Sequence, residues 1–153
     1  MKLFLGLEAQ QPASRAIAEI ISEVRNKLRS STNTEHLLEG NNGKYGEEFD
    51  DIAIIPTCSS KAVIESLGWK ERRLVRFKKK DADIRLMIDY DSFLEANSEE
   101  QRRLYVKCLL DSIKIVQEKS RQDFRGQELI DDIMKALSID ENYLTPNVNA
   151  SAH

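Results

Sequence analysis

From Ala82 to Tyr90 the chain alternates: Ile84, Leu86, Ile88 and Tyr90 are separated by Arg85, Met87 and Asp89. A period of two over such a run describes a strand with one face in a core and the other wetter, because successive side chains point to opposite faces. The preceding segment, Trp69 to Lys78, meets it across the polar junction Lys79-Lys80-Asp81, which predicts an antiparallel hairpin. A sheet with one wet face needs one covering layer, and three helical stripes can supply it. Ile17, Ile20, Ile21, Val24 and Leu28 recur at spacings of three and four, predicting a helix over 13–29. Tyr105, Val106, Leu109, Leu110, Ile113 and Val116 do the same within a helix from 98 to 119, with Ser98 and Gln101 as a candidate capping box. After the turn-like Gln122 to Gly126, residues Leu129, Ile130, Ile133, Met134 and Leu137 mark a shorter helix.

Two further strands complete the pattern. Residues 2–7 form an apolar run closed by Pro12, and Ile52 to Ile55 form a β-branched run stopped by Pro56. The segment 30–46, rich in Ser, Thr, Asn and Gly, reads as a mobile connection, and 142–153 as a disordered tail. The expected class is α+β: a mixed sheet of about four strands, hairpin included, covered by about three helices in one domain over 1–141. Ile17, Ile21, Val24, Ile54, Ile84, Leu86, Ile88, Leu109, Ile113 and Ile133 are expected to share its core. With 153 residues, 41% hydrophobic, the chain has enough apolar material for that core. No apolar run has the length of a membrane span, and the opening residues are too few for a signal-peptide core, so the expected compartment is the cytoplasm. There the two cysteines, Cys58 and Cys108, are expected to stay reduced.

Searching for chemistry yields little. Phosphate-loop, dinucleotide, zinc-peptidase and nucleophile-elbow motifs lack their parts, so no cofactor or metal is expected. Of the two histidines, His36 lies in the polar connection and His153 is the last residue. Cys58 follows a strand, where α/β enzymes mount nucleophiles, but no glycine-rich loop follows it, and an inert thiol is the simpler reading. The paired acids Asp50-Asp51, Glu99-Glu100 and Asp131-Asp132 fit solvated faces and helix starts. Asp89 and Asp91 stand apart, since continued alternation would place both on one face of a strand end; pairing with a nearby Arg is preferred there to metal binding.

Charge is the sharper feature. Lys70 to Lys80 holds seven cations and one acid, whereas the whole chain carries −3, so the remainder is strongly acidic. A basic hairpin can meet phosphates or an acidic protein surface. The acidic total and the scarcity of interleaved aromatics beyond Trp69 and Phe77 speak against nucleic acid. Lysines and arginines also guard an edge strand against aggregation, and that reading competes.

The run Gly68-Trp69-Lys70-Glu71-Arg72-Arg73, through Lys78-Lys79-Lys80-Asp81-Ala82-Asp83-Ile84-Arg85-Leu86, to Ile88-Asp89-Tyr90-Asp91-Ser92-Phe93, resembles the central signature of bacterial immunity protein family 44 of polymorphic toxin systems. Asp111-Ser112-Ile113-Lys114 and Asp123 to Ile133 resemble its C-terminal helices, while Met1 to Gly6 and Asp51 to Pro56 match in general character. The connection 30–46 and the tail after Asn142 depart from it. The resemblance implies a cytoplasmic α+β protein that binds the enzymatic domain of a cognate toxin and blocks it without catalysis. It brings no catalytic residue, metal or cofactor with it. Candidate partner-binding residues are Arg72, Arg76, Lys78, Lys79, Lys80, Asp89 and Asp91; Asp50, Asp51, Glu99 and Glu100 form the alternative surface for a basic toxin. An uncharacterised enzyme or a nucleic-acid-binding module stays open as the competing class.

Overall fold

The computed structural model describes residues 1–7, 14–40, 43–59 and 73–145. Strands β1 (Lys2–Leu5), β2 (Asp51–Ile54), β3 (Thr57–Ser59), β4 (Arg73–Lys78) and β5 (Asp81–Asp89) join one sheet. Helices α1 (Ser14–Arg29), α2 (Tyr90–Glu95), α3 (Ser98–Lys119), α4 (Gly126–Ala136) and α5 (Glu141–Leu144) accompany it. β2 and β3 both run parallel to β5 with one offset, Ile54 opposite Ile84 and Thr57 opposite Met87, so they are two pieces of a single strand. Pro56 sits in the gap and has no N–H to give the ladder, while the Ile55 N–H still donates to the Ile84 carbonyl at 2.9 Å. The sheet is therefore four columns wide. β1 lies parallel to β2 at one edge and β4 antiparallel to β5 at the other, which is the mixed sheet with a hairpin that the periodicity predicts.

One face of this sheet is covered. Leu3, Leu5, Ile52, Ile54, Ala82, Ile84 and Ile88 are buried in a core shared with Ile17, Ile21, Val24, Leu109, Ile113 and Ile133 from the helices. The expected core residues are all there except Leu86, whose side chain lies outside the described residues. On the opposite face the register places Lys2, Asp51, Asp81 and Lys78 in one row across all four columns, and each of them is exposed. α3 crosses the middle of the covering layer, which is why its stripe is wide: nine of its residues are buried, Tyr105 to Val116.

Differences from expectation have local causes. α3 begins at Ser98 as predicted, but Asn97 is its N-cap, its side chain accepting the Glu100 N–H at 2.8 Å. No Ser98–Gln101 box forms, because Gln101 donates instead to the Phe93 carbonyl at 2.9 Å. β5 ends at Asp89, so Asp91 is helical and does not share a strand face with it. The short α2 and β3 carry too few residues to show a period.

Segment 30–46 is the largest correction. Read as a mobile connection, its described residues, 30–40 and 43–46, are instead packed: Leu37 and Tyr45 are fully buried, and the Thr34 hydroxyl donates to the Leu28 carbonyl at 2.6 Å, closing the end of α1. Its Leu37 carbonyl accepts the Leu3 N–H at 2.9 Å, which occupies the outer edge of β1. Its polar residues serve backbone groups, and its apolar ones are spaced without a period. Residues 142–144, placed in the tail, belong to α5, which is capped by Asp140, with Tyr143 and Leu144 against the core. Residues 146–153 lie outside the described residues.

Candidate functional site

In the hairpin of β4 and β5, Arg76, Lys78, Lys79 and Lys80 are exposed, while the side chains of Lys70, Arg72 and Arg73 lie outside the described residues. Lys78 pairs with Asp81 across the two-residue turn Lys79-Lys80, where Lys79 adopts φ +54°. The turn is anchored from below: the Lys80 carbonyl accepts the Asp50 N–H at 2.8 Å, and the Lys80 ammonium stands 3.4 Å from the Asp50 carboxylate. Arg76 and Lys78 are exposed on the open face of the sheet, opposite Asp83 and Asp81 in register. Neither cation forms an ion pair among the described residues. Asp83 turns to Arg85 on its own strand, at 3.6 Å, a Coulombic contact beyond good hydrogen-bond distance. Arg76, Lys78 and Lys79 thus stand exposed and without ion pairs among the described residues.

The remaining candidates do not join them. Asp89 lies at the far end of β5, roughly 26 Å from the turn at a strand's rise per residue. There it caps α2, its carboxylate accepting the Asp91 N–H at 3.0 Å and the Ser92 hydroxyl at 3.1 Å. Asp91 sits in the first turn of that helix. Arg72 lies outside the described residues, as does the side chain of Cys58. The alternative acidic surface is divided: Asp50 stands beside Lys80, while Glu99 and Glu100 sit at the start of α3 paired with Arg102 and Arg103. Arg103 holds the Glu100 carboxyl below its ordinary range through their hydrogen bond. α3 has 22 residues and so separates the two groups by roughly 33 Å.

What sequence reasoning missed is a cleft of about 890 Å³ between the hairpin turn and the end of α3. Phe49 and Phe77 form its apolar part, with ring centroids 5.9 Å apart, and Lys79, Lys80, Lys119 and Arg121 bring cations to it. Phe77 is 40% exposed, a large apolar side chain left open. Phe49 is held from behind by the edge of Phe124, at 5.3 Å. The floor is the loop 43–50, bound to the α3–α4 junction: Glu48 accepts the Arg121 N–H at 2.9 Å and the Gln122 N–H at 2.6 Å, and the Arg125 N–H donates to the Tyr45 carbonyl at 2.9 Å. Lys119 and Arg121 are some 40 residues from the hairpin in sequence, and only a helix end with two cations hinted at them.

The resemblance of this chain to a known family extends well past the hairpin. A family model described as immunity protein 44 matches residues 1–139. The chain belongs to that family. No curated protein and no solved structure matches it. As an immunity protein 44 family member it matches through 30–46 as well, so the segment expected to depart from the family lies inside the matched span, in keeping with its packed state. Among the described residues no group of three or more His, Cys, Asp or Glu stands ready to hold a metal ion, and no helix is long and apolar enough to cross a membrane.

Proposed function

We propose that this chain is a cytoplasmic immunity protein that binds the enzymatic domain of a cognate toxin in a stoichiometric complex, blocks it, and performs no catalysis itself. Membership of the immunity protein 44 family carries this reading. Arg76, Lys78 and Lys79, exposed and without ion pairs among the described residues, support the hairpin as a contact, because such charges steer an oppositely charged surface and raise its association rate. Nucleic acid is disfavoured as the partner by the acidic total of the chain, a net charge of −3.

The test is co-expression with the toxin domain encoded beside this chain's gene. Rescue of growth together with a purified one-to-one complex is expected, and a toxin domain that neither binds nor is neutralised overturns the proposal. Within that complex, Arg76→Glu with Lys78→Glu should slow association and flatten its salt dependence, while Glu99→Lys with Glu100→Lys leaves both near wild type. The opposite order would move the contact to the acidic surface.

A further inference from the structure

The two edges of the sheet are not alike. On β1 the outer edge is occupied, since the Leu3 N–H is taken by the Leu37 carbonyl at 2.9 Å. Along β4, nothing among the described residues pairs with the outer edge. The direction of its backbone groups follows from one hydrogen bond and the register. The Ile84 carbonyl accepts from Ile55 on the β2 side, so residues 83 and 85 of β5 point their N–H and C=O groups toward β4, where they meet Arg76 and Leu74. Val75 and Phe77 must then direct theirs outward. An edge strand with free backbone groups is a template for another strand.

The side chains say which strand. Val75 and Phe77 lie on the helix-covered side, half-buried and 40% exposed respectively, and Phe77 leads into the cleft floored by Phe49. Arg76 and Lys78 lie on the other side, exposed and without ion pairs among the described residues. A strand laid beside β4 would alternate in the same way, placing every second residue against Val75 and Phe77 and the others against Arg76 and Lys78. Resting on the reading of this chain as a toxin-binding immunity protein, we infer that β4 receives a strand of the toxin in which apolar and acidic residues alternate, the apolar ones covering Phe77 and the cleft, the acidic ones pairing with Arg76 and Lys78. The cations of β4 then do two jobs, deterring indiscriminate edge pairing and selecting an acidic strand.

Amide hydrogen exchange and one proline test this with the toxin domain encoded beside the gene. In the free protein the Val75 and Phe77 amides should exchange quickly, and in the complex they should be strongly slowed. Val75→Pro removes an outward N–H while leaving the β5 ladder intact, a substitution edge strands accept. Compared with Val75→Ala, which trims the side chain alone, it should weaken binding roughly tenfold, as losing an interfacial hydrogen bond does. Should Val75→Pro fail to fold, the exchange data decide alone. A tight complex in which both amides stay unprotected, or in which proline binds like alanine, overturns the strand pairing and leaves the immunity reading standing. Amides already protected in the free protein, with the mass of a dimer, would assign the edge to a second copy and overturn it equally. Absence of any complex removes the parent reading and this inference with it.

Discussion

Two buried tyrosines show how far a single hydroxyl matters. Tyr45 and Tyr105 both have no exposed surface, and burial pushes both phenols above their ordinary range, Asp132 adding to the effect at Tyr45. The Tyr45 hydroxyl donates to the Asp132 carboxylate at 2.7 Å, tying the loop before β2 to α4. The Tyr105 hydroxyl has no hydrogen-bond partner among the described residues. Removing a satisfied hydroxyl loses a charge-assisted bond, whereas removing an unsatisfied one relieves a desolvation penalty. Tyr45→Phe should therefore lower unfolding stability by about 1.5–3 kcal/mol and Tyr105→Phe raise it by about 1 kcal/mol. Urea midpoints of the two variants should shift in opposite directions; a Tyr105→Phe variant that is less stable would mean its hydroxyl is served. Nearby Cys108 takes the bland role expected of it. Burial pushes its thiol up to about 12, so near neutral pH it is protonated and packs as a small hydrophobe.

Among the elements, the loop before β2 organises the cleft, and Gly46 is the glycine at which it meets the backbone of the α3–α4 junction. Gly46 has φ +102°, and a Cβ there would stand 2.1 Å from the Asp123 carbonyl oxygen, a backbone atom that cannot swing aside. Gly40 has a comparable φ, +123°, but nothing within 4 Å of such a Cβ. Gly40→Ala should thus carry conformational strain alone, about 1–2 kcal/mol, whereas Gly46→Ala adds a clash and should cost about 3 kcal/mol or more. Denaturant titration of both variants distinguishes them, and equal losses would mean that the loop and the α3–α4 junction separate easily. Glu48 reinforces this joint by serving two N–H groups past the end of α3, which is how Arg121 comes to stand across from the hairpin turn.

At the scale of the molecule, one core joins the sheet to its helices, and both sides should report the same unfolding. Ile84 in β5 and Ile113 in α3 are fully buried within it. Truncating either to Ala should cost about 2–5 kcal/mol, with circular dichroism and tyrosine fluorescence following a single transition. Separate transitions in the two variants would divide the molecule into independent units. The covered face thus carries stability, while on the opposite face the row Lys2, Asp51, Asp81 and Lys78 is exposed.

The amino-acid sequence alone determined the elements that carry a period. Alternation in β5 and stripes in α1, α3 and α4 depend on which face each residue turns to the core, and that is a local property of spacing. It also determined the basic character of the hairpin, because charges adjacent in sequence on a strand and turn remain adjacent in space. Tertiary structure decided the rest. Asp89 became a helix cap because β5 stops where α2 begins, and Pro56 became a gap within one column because β3 resumes the register of β2. Leu37 and Tyr45 were drawn into the core by contacts distant in sequence. The cleft exists only because a helix end, a loop and a hairpin turn meet there, bringing Phe49, Phe77, Lys119 and Arg121 together. No spacing rule encodes such a meeting, since it is set by how the layers pack rather than by where any residue stands in the chain.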